Sequence, residues 1–299
     1  MIRRQQHSLR TAGIVPSNDG LIASAAASGP FPTQQFPFTM PVTALIPLLS
    51  APVVDRSPTR AEMGLRAAAY VTEVIASVLK RQPRARVMFA CAPSQDEFLE
   101  QLAVASRGVI DWSRVSAFHM DEYVGVAATH PASFRSYLRT HVVDRLPGLQ
   151  DVAWLRGDAP DPAAECERYG ALLATAPMDL SCLGIGENGH IAFNDPPVAD
   201  FDDSHGVKVV ELDLACRQQQ VNDGCFPTLS AVPTHALTVT IPTFRRALAL
   251  SVVVPGPRKA AAVRATMRDP ITTACPATIL RTHPRARLFV DHASASQLD

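Results

Sequence analysis

"RVMFACAPSQDEFLEQLA", residues 86–103, decides the fold class. Its first seven residues, "RVMFACA" (86–92), form an almost unbroken apolar run bounded by Pro93. A run of that length reads as a strand buried on both faces. "SQDEFLEQLA" then opens a helix, with Ser94 and Glu97 at the spacing of a capping box. A doubly buried strand passing straight into a helix is the repeating unit of a parallel α/β sheet.

Working outward, the same rhythm recurs. Thr59 and Glu62 mark a second capping box, followed at helical spacing by Tyr70, Val71, Val74, Ile75, Val78 and Leu79. "RVSAFHM" (114–120) is strand-like, and after "HPAS" one helical face carries Phe134, Tyr137, Leu138, His141 and Val142. "ECERYGALLATA" predicts a helix and "MDLSCLGIG" a strand; "HALTVTI" and "ALALSVVVP" are strands, "PRKAAAVRATMR" a helix and "ARLFVD" a closing strand. The expectation is an α/β, three-layer Rossmann-like fold, its mostly parallel sheet covered by helices on both faces. Residues 56–299 form a single domain in this reading. Ligands bind such sheets beyond the carboxyl ends of the strands, so the loops after Ala92, Met120 and Leu183 carry the chemistry.

Composition narrows the partners. Among 299 residues, Lys plus Arg and Asp plus Glu both number 28, which gives no net attraction to nucleic acid or an anionic membrane. No stretch of about 18 apolar residues is long enough to span a bilayer. The six cysteines lack a CxxC pair or nearby ligand-like histidines, which predicts reduced thiols in a cytoplasmic protein, with no metal and no cofactor. Residues 1–55 differ from the rest: they are rich in Ser, Pro, Gly and Gln, with Asp19 the one acid before residue 42. A transit peptide is one reading of them; their helix breakers favour a disordered extension or a start assigned too early.

Three loops and one further helix start hold the candidate residues. In "FHMDEYVG" (118–125), Asp121 and Glu122 follow a strand, where partial burial would make Asp121 a usable base. The plainer alternative is a turn-forming aspartate. "GIGENGHIAFNDPP" (184–197) surrounds His190 with Gly184, Gly186 and Gly189, which permit close backbone approach to a ligand. Asp195 lies five residues on, where it could orient the imidazole. The letters GxGxxG also occur here, but no suitable crossover helix follows, which weakens a dinucleotide reading. The helix start in "CAPSQDEF" (91–98) offers N–H groups to an anion. Lys259 does the same at a helix start in a chain that otherwise prefers arginine.

In this order, "MDEYVG", "HPASF", "GIGENGHIAFNDP", "ALTVTIP" and "RKAAAVRATM" resemble the motifs of the glucosamine-6-phosphate deaminase family, within a broader group of sugar-phosphate isomerases and lactonases. The similarity spans about residues 60–296. It implies hydrolytic deamination with aldose–ketose isomerisation, yielding fructose 6-phosphate and ammonium from an amino-sugar phosphate. The resemblance assigns Asp121 to proton transfer between C2 and C1, and His190 to ring opening. Asp195 takes the place of the family's usual Glu, and Asn188 that of a frequent Asp. It further places Ser94, Gln95, Gly186, Gly189 and Lys259 around substrate and phosphate, with Arg217 standing in for a family arginine that has no clean counterpart. A 6-phosphogluconolactonase-like hydrolase and a non-catalytic sugar-phosphate-binding protein are the competing readings. A homo-oligomer stays open.

Overall fold

Seven strands run parallel through the centre of the domain: β1 (Val53–Ser57), β2 (Ala85–Phe89), β3 (Val115–His119), β5 (Asp151–Ala153), β6 (Leu180–Leu183), β9 (Leu250–Val254) and β10 (Ala286–Asp291). Their order in the sheet is β1-β10-β9-β6-β2-β3-β5, and every neighbouring pair is parallel. Three further strands, β4 (Asp121–Tyr123), β7 (Val207–Glu211) and β8 (His235–Val239), make a separate antiparallel sheet in the order β4-β8-β7. The helices are α1 (Arg60–Arg81), α2 (Asp96–Ala105), α3 (Phe134–His141), α4 (Pro162–Ala174), α5 (Leu214–Asn222), α6 (Ile241–Arg245) and α7 (Ala260–Arg268). This is a computed structural model, and it describes residues 52–298. The expected disordered extension falls almost wholly on residues 1–51, outside the described residues. Its boundary moves, because residues 53–55 already belong to β1 and pair with β10.

Alternation along each strand builds the three layers. Val87, Phe89, Val253 and Phe289 point to one face, where Met63 of α1, Phe98 of α2 and Leu138 of α3 cover them. Met88, Val252, Val254, Leu288 and Val290 point to the other, against Tyr169 of α4, Phe244 of α6 and Val263 of α7. Both faces are apolar, so the strands read as continuous hydrophobic runs in the sequence.

The two capping boxes behave differently. Thr59 accepts from the Glu62 amide at 3.2 Å and caps α1, while the Glu62 carboxylate turns outward to Arg66. Ser94 and Glu97 do not box α2. A short 3₁₀ turn, Pro93–Gln95, precedes that helix, its cap residue Gln95 makes no side-chain cap bond, and Glu97 accepts from Arg60 at 2.7 Å. The proline-led turn shifts the helix start past Ser94 and turns that hydroxyl elsewhere.

From β2 the chain moves to β3 and β5 on one side, then returns to β6, β9 and β10 on the other, where β10 pairs with the first strand, β1. Strand order therefore reverses between β2 and β6, and a crevice opens beyond the carboxyl ends of those strands. Beyond β3 the chain crosses into the small sheet. "HALTVTI" is a strand, as its pattern predicts, but it lies in the antiparallel sheet, where Thr238 faces Asp121 in register.

That crossing is pinned by a buried carboxylate. Glu122 is fully buried and accepts from the Ser133 hydroxyl (2.7 Å) and the amides of Tyr123 (3.0 Å), Phe134 (3.1 Å) and Arg135 (2.9 Å). It also accepts from Arg135 Nε at 3.2 Å. Arg135 in turn donates to Asp158 and to the Val126 carbonyl, both at 2.7 Å. Removing one partner of a buried ion pair strands the other charge, at a cost of about 3–5 kcal/mol. Arg135→Leu is expected to lower the urea midpoint accordingly with little change in slope. A midpoint within error of wild type would show that the pair is not what fixes this junction.

Candidate active site

One cleft gathers all three loops. Ala92, Ser94 and Gln95 beyond β2 line it, with Met120 and Asp121 beyond β3, Gly184, Gly186 and His190 beyond β6, and Lys259 beyond β9. Helix α5 adds Gln219, Gln220 and, just past its end, Asp223.

Asp121 begins β4 at the junction of the two sheets. It is 7% exposed, and its Oδ1 is buried without a hydrogen-bond partner among the described residues. Burial first, and the neighbouring Glu122 charge second, push its carboxyl well above the usual range. The backbone beneath it is held by His119, whose Nδ1–H donates to the Asp121 carbonyl at 3.0 Å while Nε2 accepts from the Leu155 amide at 2.8 Å. Those partners require a neutral ring. Burial pushes His119 down to about 3, so it stays uncharged at neutral pH.

His190 occupies a loop that closes on itself. Gly186 N donates to the His190 carbonyl at 2.9 Å, and Gly189 N to the Gly186 carbonyl at 3.1 Å. A Cβ on Gly186 would sit 2.2 Å from the imidazole Cε1, so this glycine makes room for the ring. Gly189 has φ +84°, and a side chain there would strike Cys275 Sγ at 2.4 Å. Gly189 does not line the cleft; what its geometry supports is the turn.

The imidazole Nδ1 lies 2.7 Å from Asn188 Oδ1 and 2.9 Å from Asp195 Oδ1. Both are acceptors, which places the proton on Nδ1 and leaves Nε2 as a base. Asn188 Nδ2 donates to Asp195 Oδ1 at 2.9 Å, which turns the amide oxygen toward the ring. An amide thus stands against the ring where the resemblance leads one to expect an aspartate. Asp195 is fully buried; burial opposes its charge, but the His190 and Asn188 contacts prevail and hold its carboxyl below the ordinary range.

The anion end of the cleft is built around Lys259, 6% exposed at the 3₁₀ turn Pro257–Lys259 that leads into α7. Its ammonium has no hydrogen-bond or ion-pair partner among the described residues. Burial pushes it down, against the pull of Asp223 and Glu187. Ser94 Oγ accepts from Gln95 Nε2 at 3.1 Å, which leaves its hydroxyl proton for a ligand. Gln95 is completely buried and its Nε2 also reaches the Val253 carbonyl at 3.2 Å, so it stiffens the loop as much as it faces the cleft.

Arg217 requires a correction. Its guanidinium donates to the carbonyls of Leu229 (2.8 Å) and Val232 (3.0 Å), and it does not line the cleft. Helix α5 instead presents Gln219, Gln220 and Asp223, with Gln220 Oε1 fixed by the Tyr123 hydroxyl at 2.7 Å. Which residues of this polar helix face the ligand depends on where α5 packs. Cys216 is a further residue that sequence spacing passed over. Its sulfur, a carboxylate oxygen of Asp195 and a ring nitrogen of His190 all lie within 4.8 Å of one another.

His119 gives a pH test. Its folded value, about 3, lies below its ordinary 6.5, so in that window the unfolded chain binds a proton that the folded one refuses. The stabilisation is full above the upper value and is lost as pH falls toward the lower one. His119→Asn keeps a donor to the Asp121 carbonyl without a titrating ring. Its unfolding free energy is expected to fall less steeply over that window, by up to about 1.4 kcal/mol per pH unit. Parallel curves in urea titrations would exclude a buried neutral His119.

Comparison with known proteins follows the same outline. A profile of the family described as glucosamine-6-phosphate isomerases/6-phosphogluconolactonase matches residues 58–289. A glucosamine-6-phosphate deaminase of Exiguobacterium sp. is 40% identical over 188 residues, 63% of this chain and 72% of the relative. One from Streptomyces avermitilis is 36% identical over 231 residues, 76% and 87% of the two chains. Among solved structures, a monomeric glucosamine-6-phosphate deaminase superposes with a TM-score of 0.74 at 28% identity, covering 82% of this chain and 99% of its own. A putative 6-phosphogluconolactonase from Neisseria gonorrhoeae shares the fold alone, with a TM-score of 0.64 at 16% identity over 81% of this chain and 100% of its own. Among the described residues no helix is long and apolar enough to cross a membrane. With its fold, its cleft and its sequence in agreement, the chain belongs to the glucosamine-6-phosphate isomerase/6-phosphogluconolactonase family.

Proposed function

We propose that this chain converts glucosamine 6-phosphate and water to fructose 6-phosphate and ammonium. The observation that carries the reading is one cleft holding a buried carboxylate with an unpartnered oxygen, an imidazole with Nε2 left as base, and a buried ammonium free for phosphate. Lys259 and Ser94 hold the phosphate. His190 Nε2 accepts the O1 hydroxyl proton as the C1–O5 bond opens, and returns it to O5; Asp195 and Asn188 stabilise the transient imidazolium. Asp121 then takes the C2 proton and delivers it to C1 while a second proton passes from the C2 nitrogen to O1, which leaves a ketose imine at C2. Water adds to that carbon, the C–N bond breaks, and ammonia departs. The six cysteines are free, in keeping with a reducing compartment, and we place the activity in the cytoplasm.

Asp121→Asn keeps the size but cannot accept the C2 proton. Loss of a positioned base is expected to reduce kcat by roughly 10²–10⁴, with binding of a sugar-phosphate inhibitor retained. In deuterium oxide, the wild type is expected to place solvent deuterium at C1 of the product to the extent that the proton on Asp121 exchanges with solvent before it is delivered. Because burial raises Asp121, the acid limb of kcat/KM should fall above about pH 4, the ordinary carboxylate position. Ammonia release at the wild-type rate by the variant would remove Asp121 from the role. A wild type that opens a phosphogluconolactone and releases no ammonia would favour the lactonase reading.

Lys259→Ala separates phosphate binding from chemistry. KM for the phosphorylated sugar should rise by at least about tenfold, the value of one charged hydrogen bond, with little effect on residual turnover of unphosphorylated glucosamine. Equal losses on both substrates would assign Lys259 to folding.

A further inference from the structure

Cys216 plays no part in the proposed chemistry, yet it stands behind the two residues that orient and form the base. It is 1% exposed, on the first turn of α5, and does not line the cleft. Together, Cys216 Sγ, an Asp195 oxygen and a His190 nitrogen form a buried triplet of sulfur, oxygen and nitrogen within 4.8 Å. Nδ1 is the nitrogen concerned, since it already lies 2.9 Å from Asp195 Oδ1. The other oxygen, Asp195 Oδ2, is buried and takes no N–H or O–H donor among the described residues; the carboxylate's further contact is the Cys216 thiol itself, which helps to hold the carboxyl low. The chain's spacing hid this group, because its members lie on the glycine loop, past that loop, and on a helix more than twenty residues away.

Thiolate, imidazole and carboxylate together are the ligand set of a borderline-soft divalent ion of the zinc type, bound at about 2.0–2.3 Å. Three protein ligands leave a fourth position for water. We propose that Cys216, Asp195 and His190 form an inhibitory site for a zinc-type divalent cation, entered from the cleft. The balance is simple. The cation bonds Cys216 Sγ and displaces the thiol proton to solvent. It bonds His190 Nδ1, and the proton there moves to Nε2, so the ring stays neutral. An imidazole protonated on Nε2 cannot accept the O1 proton, so ring opening stops while the fold is untouched. One proton is released per ion, so apparent affinity rises about tenfold per pH unit while the thiol is protonated.

The test titrates the full chain with cadmium, a zinc substitute whose bond to thiolate gives an ultraviolet charge-transfer band. This readout is independent of activity, so it stands or falls separately from the proposed reaction. One band is expected in wild type, absent in Cys216→Ser and present in Cys225→Ser and Cys275→Ser, the two half-buried thiols. Asp195→Asn should weaken binding at least about tenfold, the cost of disturbing even an outer contact of a metal site. Zinc should inhibit wild type and leave Cys216→Ser uninhibited relative to its own metal-free rate. A band that survives in Cys216→Ser, or that follows Cys225 or Cys275, overturns the site. A band that depends on Cys216 without inhibition overturns its inhibitory role.

Discussion

Glu122 carries no chemistry in this protein, yet the position of the chemistry depends on it. Its carboxylate collects three amides, one hydroxyl and one guanidinium at the point where the chain leaves the large sheet for the small one. A buried carboxylate is tolerated only when its lone pairs are filled and its charge is paired. Filling them forces the start of α3, Arg135 and β4 into one arrangement. Asp121, the preceding residue, inherits that arrangement: it is displaced from the end of β3 into the small sheet and turned toward the crevice. The same negative charge then helps to keep the Asp121 carboxyl high.

Two of the buried histidines, His119 and His190, serve different ends. His119 has both nitrogens bonded to backbone and serves as a strut. His190 has one nitrogen bonded to Asn188 and Asp195, and the other available. The difference lies in their neighbours: a glycine without a side chain stands beside His190, and at His119 the space is filled by Leu155 and Tyr169. A base in an enclosed site must have one satisfied nitrogen to fix its tautomer and one unsatisfied nitrogen to work.

The cleft lies where strand order reverses, between β2 and β6, so loops from strands far apart in sequence converge without insertions. Lys259 enters from β9 on the opposite side of β6. Arg258, beside it, bonds to Glu187 and Asp223 and ties the glycine loop to the end of α5. That pairing occupies the acids nearest the lysine and leaves the ammonium as the cation presented to a ligand.

What the sequence by itself determined was the repeating unit and its chemistry-bearing loops. Continuous apolar strands and helical faces are local patterns, dictated by burial on two sides, and they placed β2, β3, β6, β9 and β10 with their helices. Asp121, His190, Asp195 and Lys259 were legible because strand ends in such a sheet must face the crevice. The tertiary structure decided the rest. Which sheet receives "HALTVTI", whether Ser94 caps a helix, and which face of α5 meets the ligand depend on packing partners distant in the chain. Arg217 lies outside the cleft for that reason: its identity suited an anion, but α5 turns it toward the carbonyls of Leu229 and Val232. Cys216 was silent for the complementary reason, since a ligand set is a matter of distance in space, and only folding brings sulfur, imidazole and carboxylate together.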